Sequence, residues 1–202
     1  RINHKNVDEV VGLALHEASH CILTDFKMVK KLGNVILQDH KYKHLFPNRD
    51  HVFLFTNFME DRRIDDFVYN SAPGYKAYYE SMYESSFFND TINKGLTGTE
   101  YRTETWESYM FRIINIFNPN SDLDALYNLR KIYDIIDLDH INRLKSTRDS
   151  IDVAMEITDI VRASIIVERM INEDNFDQSV LEKSHKKEGE KNDVSKEKIK
   201  NA

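Results

Sequence analysis

Five consecutive residues, His16-Glu17-Ala18-Ser19-His20, have the pattern H-E-x-x-H. On an α-helix, residues four positions apart lie on the same face, one turn apart, so both imidazoles can bind one metal ion. Glu17 follows the first histidine and can accept a proton from a metal-bound water, whose pKa zinc lowers towards ~7. The pattern predicts a Zn²⁺ site with His16 and His20 as ligands and Glu17 as catalytic base.

The residues around the pattern favour a helix from Val7 to Lys30, because no proline interrupts them and only Gly12 weakens them, by about 1 kcal/mol relative to alanine. His16 and His20 lie beside an apolar stripe and are expected to face the interior, where unpaired polar groups are costly and a metal would pair them. The alternative is a helix that carries these residues on its surface by chance. The stripe consists of Val7, Val10, Val11, Ala14, Leu15, Ala18 and Ile22.

A zinc site of this kind needs a third protein ligand and keeps its fourth position open for water. The candidates are Asp25, Glu60, Asp61 and Asp65. Glu60 is favoured, because a second helix over 51–69 would place it in an apolar context on the face of Asn57. Asp25 lies about 140° around the helix from His20 and would serve only if the helix ended there.

Asp61 and Asp65 share the neighbouring face of the second helix and are the alternatives to Glu60. Either could also accept the ring N–H of a ligating histidine. Arg63 is expected to pair with Glu60 or Asp61 and fix its rotamer, and Asn57 also lies near the ligands. An ordinary charged helix with weak ion pairs is the competing interpretation. Tyr75 or Tyr78 is the candidate donor to a developing oxyanion.

The two segments together resemble a known family. L-A-L-H-E-A-S-H-C-I-L-T-D-F is followed by N-F-M-E-D-R-R-I-D-D and S-A-P-G-Y-K-A-Y-Y-E-S-M-Y. This order is similar to the metallopeptidase-like region that precedes a von Willebrand A-type domain in large phage and bacterial proteins, and in outline to cobaltochelatase large-subunit and nitric-oxide-reductase-activation proteins. The resemblance implies a gluzincin-like site and an AAA-ATPase partner bound through the A-type domain. The chain has no D-x-S-x-S motif of such a domain.

Composition predicts a mainly α-helical fold, because the 202 residues include only six glycines and three prolines. At most a short strand or hairpin is expected near 34–38. The net charge of −6 gives no support to nucleic-acid binding, and the single cysteine excludes an internal disulfide. No apolar run approaches the ~20 residues of a membrane helix, so no membrane partner is expected.

Residues 1–178 are predicted to form a zincin-like metallopeptidase domain. Residues 179–202 are predicted to be a disordered charged tail or linker, since they contain few large apolar residues. Further helices are expected at 75–88, 100–117, 122–136 and 150–172, with a loop at 89–98.

These features predict a zinc-dependent peptidase that hydrolyses a protein or peptide substrate. The alternative is a catalytically silent, metal-stabilised module of a phage particle or AAA-ATPase-linked assembly. The cytoplasm of a bacterial host or a virion is the favoured location.

Overall fold

The computed structural model describes the backbone of residues 4–200 and the side chains of residues 7–173. All regular structure within these residues is helical, so the predicted mainly α fold is confirmed. Short 3₁₀ segments occur at Lys43–Asn48, Pro73–Tyr75 and Leu138–Arg143. The α-helices are α1 (His4–Leu23), α2 (Phe26–Lys30), α3 (Leu32–Gln38), α4 (Arg49–Ser71), α5 (Lys76–Phe87), α6 (Asp90–Thr97), α7 (Trp106–Ile114), α8 (Leu129–Ile136) and α9 (Thr147–Lys200).

The chain divides into two units, Arg1–Ser164 and Ile165–Ala202. Every predicted site residue belongs to the first unit. The predicted tail at 179–202 lies outside the residues with described side chains and stays a prediction. Among the helices described, none is both long and apolar enough to cross a membrane.

The motif helix is shorter than predicted, because α1 ends at Leu23. Asp25 begins the next helix as its N-cap, and its carboxylate accepts a hydrogen bond from the Met28 amide at 3.0 Å. The Asp25 amide in turn donates to Thr147 Oγ1 at 2.8 Å. A capping side chain satisfies amides that a helix leaves unpaired at its start, so the predicted single helix is replaced by two.

Two segments predicted to be non-helical are helices. The strand expected near 34–38 is wrong, because α3 places Leu32 and Ile36 one turn apart with exposures of 5% and 0%. The loop expected at 89–98 is largely α6, where the Asn89 side chain caps the helix and Leu96 is fully buried. Gly95 serves close packing here, since a Cβ on it would lie 2.5 Å from the Phe111 ring.

The apolar stripe of α1 does not face the interior as predicted. Val10 and Ile22 are 63% and 83% exposed, whereas Gly12 is buried. A Cβ on Gly12 would lie 2.4 Å from the Tyr78 carbonyl oxygen, so glycine allows α1 to approach α5 closely. His16 lies one turn after Gly12 on the same face. This contact therefore turns the histidine face of α1 towards the protein.

Helix α4 carries both apolar and charged residues into the interior. Phe55, Met59 and Ile64 are at most 1% exposed. Glu60 and Asp65, on the same helix, are also buried. Buried charged groups are costly without partners. The partners of these carboxylates therefore define what α4 does.

Candidate metal centre

Two pairs of polar residues face each other across α1 and α4. His16 and His20 are four residues apart on α1, and Asp61 and Asp65 are four residues apart on α4. His16 contacts Asp65, and His20 contacts Asp61, so the two pairs meet in antiparallel order. Four polar side chains from two helices thus converge at one place.

Three ligand atoms come together at distances suited to zinc. The Nε2 atoms of His16 and His20 are 3.2 Å apart, and Asp61 Oδ1 lies 3.1 Å from His20 Nε2 and 3.8 Å from His16 Nε2. In a tetrahedral site with zinc–ligand distances of ~2.0–2.2 Å, neighbouring ligand atoms are about 3.3–3.6 Å apart. His16, His20 and Asp61 therefore form a group that could hold a metal ion.

The opposite ring nitrogens of both histidines are held by oxygen atoms. His16 Nδ1 lies 2.7 Å from Asp65 Oδ1, and His20 Nδ1 lies 3.0 Å from Thr24 Oγ1. An ionised carboxylate only accepts hydrogen bonds, so His16 carries its proton on Nδ1. Such a partner fixes the ring and leaves the Nε2 lone pair for a metal, as is usual for metal-binding histidines. The Thr24 hydroxyl can accept the Nδ1–H of His20 in the same way.

When His20 also carries its proton on Nδ1, three acceptor atoms face one another without a donor, whereas with the proton on Nε2 His20 donates to Asp61 Oδ1 at 3.1 Å. In the first state the three acceptor atoms repel each other unless a cation or a proton lies among them. The centre favours positive charge: burial lowers the pKa of His16, but the hydrogen bond with Asp65 and the charges of Asp65, Asp61 and Glu17 outweigh it, and the pKa is raised. The donor set therefore fits Zn²⁺.

Glu60, the favoured third ligand, lies in a different cluster. Its carboxylate accepts two hydrogen bonds from the Arg63 guanidinium, at 2.5 and 3.1 Å, and one from Thr147 Oγ1 at 2.8 Å. Burial would raise the pKa of Glu60, but the Arg63 and Thr147 hydrogen bonds lower it. Arg63 also donates to the Leu23 carbonyl at 2.8 Å. The structure thus pairs Arg63 with Glu60, one of its two predicted partners, and brings Asp61 to the histidines instead.

No described hydrogen bond or ion pair joins Asp25, Asn57, Tyr75 or Tyr78 to the three candidate ligand atoms. Asp25 caps α2, and Asn57 is exposed on α4. Tyr75 and Tyr78 have ring centroids 6.4 Å apart and contact each other. Glu17 is exposed on α1, directly after His16.

Sequence reasoning missed Tyr83, whose hydroxyl donates to Asp65 Oδ2 at 2.5 Å. Burial raises the pKa of Tyr83, so the phenol stays protonated as a donor. Arg62 also approaches Asp65, at 3.5 Å. These contacts hold the carboxylate that orients His16. Their signal in the sequence is only that Tyr83 lies at helical spacing from the other aromatic residues of α5, Tyr79 and Phe87.

Asp65, Arg62 and Tyr83 also line a cavity of about 440 Å³. Neither motif histidine lines this cavity, and neither does Glu17. The carboxylate of Asp65 thus separates the metal-ligand group from the cavity.

No model of a known protein family matches the chain, and no curated protein or solved structure matches it either. The predicted family membership therefore rests on the sequence motifs alone.

Proposed function

We propose that this protein binds one zinc ion through His16, His20 and Asp61 and acts as a zinc-dependent peptidase. The observation that carries the proposal is the convergence of three acceptor atoms at separations of 3.1 to 3.8 Å, with both Nδ1 atoms held by oxygen. Its ligand set differs from the gluzincin plan, since an aspartate takes the place expected for Glu60.

Zinc bound here would supply a water of lowered pKa and would polarise a substrate carbonyl. Glu17 would take the proton of that water and return it to the leaving amine. Glu17 is exposed, and the side chains of His16, His20 and Asp61 are 13%, 12% and 22% exposed, so solvent can reach this side. Asp65 would hold the His16 ring in place.

The first test is zinc content. Protein purified without chelator is expected to contain one equivalent of zinc by elemental analysis, and His20→Ala and Asp61→Ala are expected to lose it. Glu60→Gln changes the adjacent acidic residue of α4 and should keep the zinc; because it leaves buried Arg63 without its counter-ion, its folding is verified by circular dichroism before zinc is measured. Loss of zinc from Glu60→Gln with retention in Asp61→Ala would reverse the assignment of the third ligand.

The second test separates binding from hydrolysis. Glu17→Gln should keep the zinc and abolish cleavage of a peptide library read by mass spectrometry. Glu9→Gln is its control on the same helix, where Glu9 accepts a hydrogen bond from Ser85. Full activity of Glu17→Gln would refute the role of Glu17.

A non-catalytic zinc staple is the second candidate function. One observation favours it: Glu17, the proposed base, does not line the cavity beside Asp65, so that cavity cannot present a substrate to it. Its ligands join α1 to α4, so zinc would tie these helices together. One equivalent of zinc that stabilises the fold, with no cleavage of any library peptide, would establish this function instead.

A further inference from the structure

Aromatic residues are the largest group in the wall of the cavity beside Asp65. Five aromatic side chains line it, from α4, α5, the end of α5 and the segment after α7. The faces of such rings carry partial negative charge and attract cations. The five are Tyr69, Tyr79, Tyr83, Phe88 and Phe117.

Rings of this wall already contact cations of the protein itself. The Arg62 guanidinium carbon lies 4.9 Å from the Phe117 ring centroid and 5.0 Å from that of Tyr83. Lys76 Nζ lies 4.3 Å from the Tyr69 ring centroid. The rings are therefore placed where cations gain from them.

Carboxylates outnumber cations in the lining. Asp65, Asp66 and Glu80 contribute three carboxylates, against the single guanidinium of Arg62. Asp65 is already engaged by His16, Tyr83 and Arg62.

The other two carboxylates have neutral hydrogen-bond partners. Asp66 accepts from the Asn70 amide at 2.9 Å, and Glu80 accepts from the Tyr69 hydroxyl at 3.0 Å. A cation in the cavity would thus meet two carboxylates whose charge these contacts leave uncompensated.

We propose that this cavity binds a small organic ammonium ion with an apolar body. The rings and the aliphatic side chains of Leu138 and Ile141 would cover the apolar part, and Asp66 and Glu80 would attract the charge. An anion would find only Arg62, which four aromatic rings and Asp65 already surround. This site is distinct from the zinc ligands and does not rest on the proposed peptidase activity.

The test uses three small probes that share a benzyl group, measured by calorimetry with the whole chain in the presence of a chelator. Benzyltrimethylammonium is the cation, benzyl alcohol the neutral probe and phenylacetate the anion. We expect one equivalent of the cation to bind at least about tenfold more tightly than either other probe, as cation–π contacts of this strength allow. The chelator makes the outcome independent of zinc.

Variants locate the bound cation. Phe88 is 38% exposed and Glu80 is exposed, so Phe88→Leu and Glu80→Gln should both fold. Each is expected to weaken binding of benzyltrimethylammonium by about three- to tenfold. Glu107→Gln is the matched control, because Glu107 is exposed on α7 and does not line the cavity, and it should leave the affinity unchanged.

Each other result overturns the proposal. Tighter binding of phenylacetate would assign the cavity to anions held by Arg62, and equal affinities would make it an unselective apolar site. Absence of binding of all three probes at millimolar concentrations would exclude a small-molecule site of this class. Cation binding that is insensitive to both Phe88→Leu and Glu80→Gln would place the ion elsewhere.

Discussion

Glu60 and Asp61 are consecutive residues of one helix, yet their surroundings differ completely. The Glu60 carboxylate is 3% exposed and receives three hydrogen bonds, two of them from a guanidinium. The Asp61 carboxylate is 22% exposed and faces the Nε2 atoms of two imidazoles, which lie 3.8 and 3.1 Å from Asp61 Oδ1 in His16 and His20. Successive residues of a helix point about 100° apart, which sends the two side chains to different neighbours.

The comparison distinguishes two polar clusters. Glu60, Arg63 and Thr147 form the closed cluster, and His16, His20 and Asp61 form the open cluster. Around Glu60, each charge meets an opposite charge or a donor, and the contacts link α4 to the end of α1 and the start of α9. Around Asp61, three candidate metal-ligand atoms converge, and only a proton or a cation among them pairs the carboxylate. A buried carboxylate with its donors in place, such as Glu60, is thus explained by structure alone, whereas a half-buried one that meets two histidine nitrogens is a candidate for ligand binding.

Breaking the closed cluster should give the largest effect. Arg63→Met leaves the Glu60 carboxylate buried without its cation, and removal of one partner of a buried pair costs about 3–5 kcal/mol. The free energy of unfolding of the zinc-free protein in urea measures this loss.

The double variant Glu60→Gln/Arg63→Met controls for the loss of packing. It removes both charges and should recover much of the stability, since no unpaired ion remains. A single Arg63→Met variant as stable as the wild type would show that Glu60 is not held by this pair.

Zinc should stabilise the protein through the open cluster, and the closed cluster should not contribute to this gain in unfolding free energy. A ligand that binds only the folded state at 100 times its Kd stabilises by about 2.7 kcal/mol. We expect this gain for the wild type and for Glu60→Gln, each compared with its own zinc-free form in urea titrations. Asp61→Asn should gain far less, and an equal gain in that variant would remove Asp61 from the ligand set.

The sequence predicts half of this comparison. The periodicity of α4 predicts one of the two helices, and the H-E-x-x-H spacing predicts that His16 and His20 share one face of the other. The choice between Glu60 and Asp61 depends on which side of α4 meets the histidine face of α1, and that is decided by contacts between residues distant in sequence, such as His20 with Asp61 and Arg63 with the Leu23 carbonyl. One available signal was the matching four-residue spacing of His16 and His20 with Asp61 and Asp65.

The exposed stripe of α1 has the same cause. Periodicity predicts the apolar face to be buried, but the close approach at Gly12 selects the face that carries the histidines. A local pattern cannot reveal which of two faces of a helix fits its neighbour, because that fit depends on residues distant in sequence.

Removing the hydrogen bond between Asp65 and His16 Nδ1, on the side of the ring away from the proposed zinc, should have a smaller effect. In Asp65→Asn, only one of the two side-chain oxygens remains. Tyr83 and His16 both donate to this side chain, so they must compete for that oxygen, and the His16 ring is held less firmly. Loss of such a partner lowers metal affinity by about 10–100-fold. Competition with a chromophoric chelator measures the affinity.

Asp66→Asn is the neighbouring control for this variant, since Asp66 bonds only Asn70 among the described side-chain contacts. Its zinc affinity should equal that of the wild type. If Asp65→Asn also keeps wild-type affinity, His16 does not depend on Asp65 for its orientation.

The smallest loss of unfolding free energy should come from removing the Thr147 hydroxyl of the closed cluster. Thr147→Val removes the hydroxyl that accepts from the Asp25 amide and donates to Glu60, both at 2.8 Å. Arg63 remains, so the Glu60 charge stays paired, and the expected loss is about 1–2 kcal/mol in unfolding free energy. Thr97→Val is the control. It removes an exposed hydroxyl that donates to the Asn93 carbonyl, and it should change stability by less than about 0.5 kcal/mol.

Zinc affinity should be unchanged in both variants, because neither hydroxyl contacts the three ligand atoms. A fall in zinc affinity in Thr147→Val alone would mean that the closed cluster positions the ligands as well as stabilising the fold.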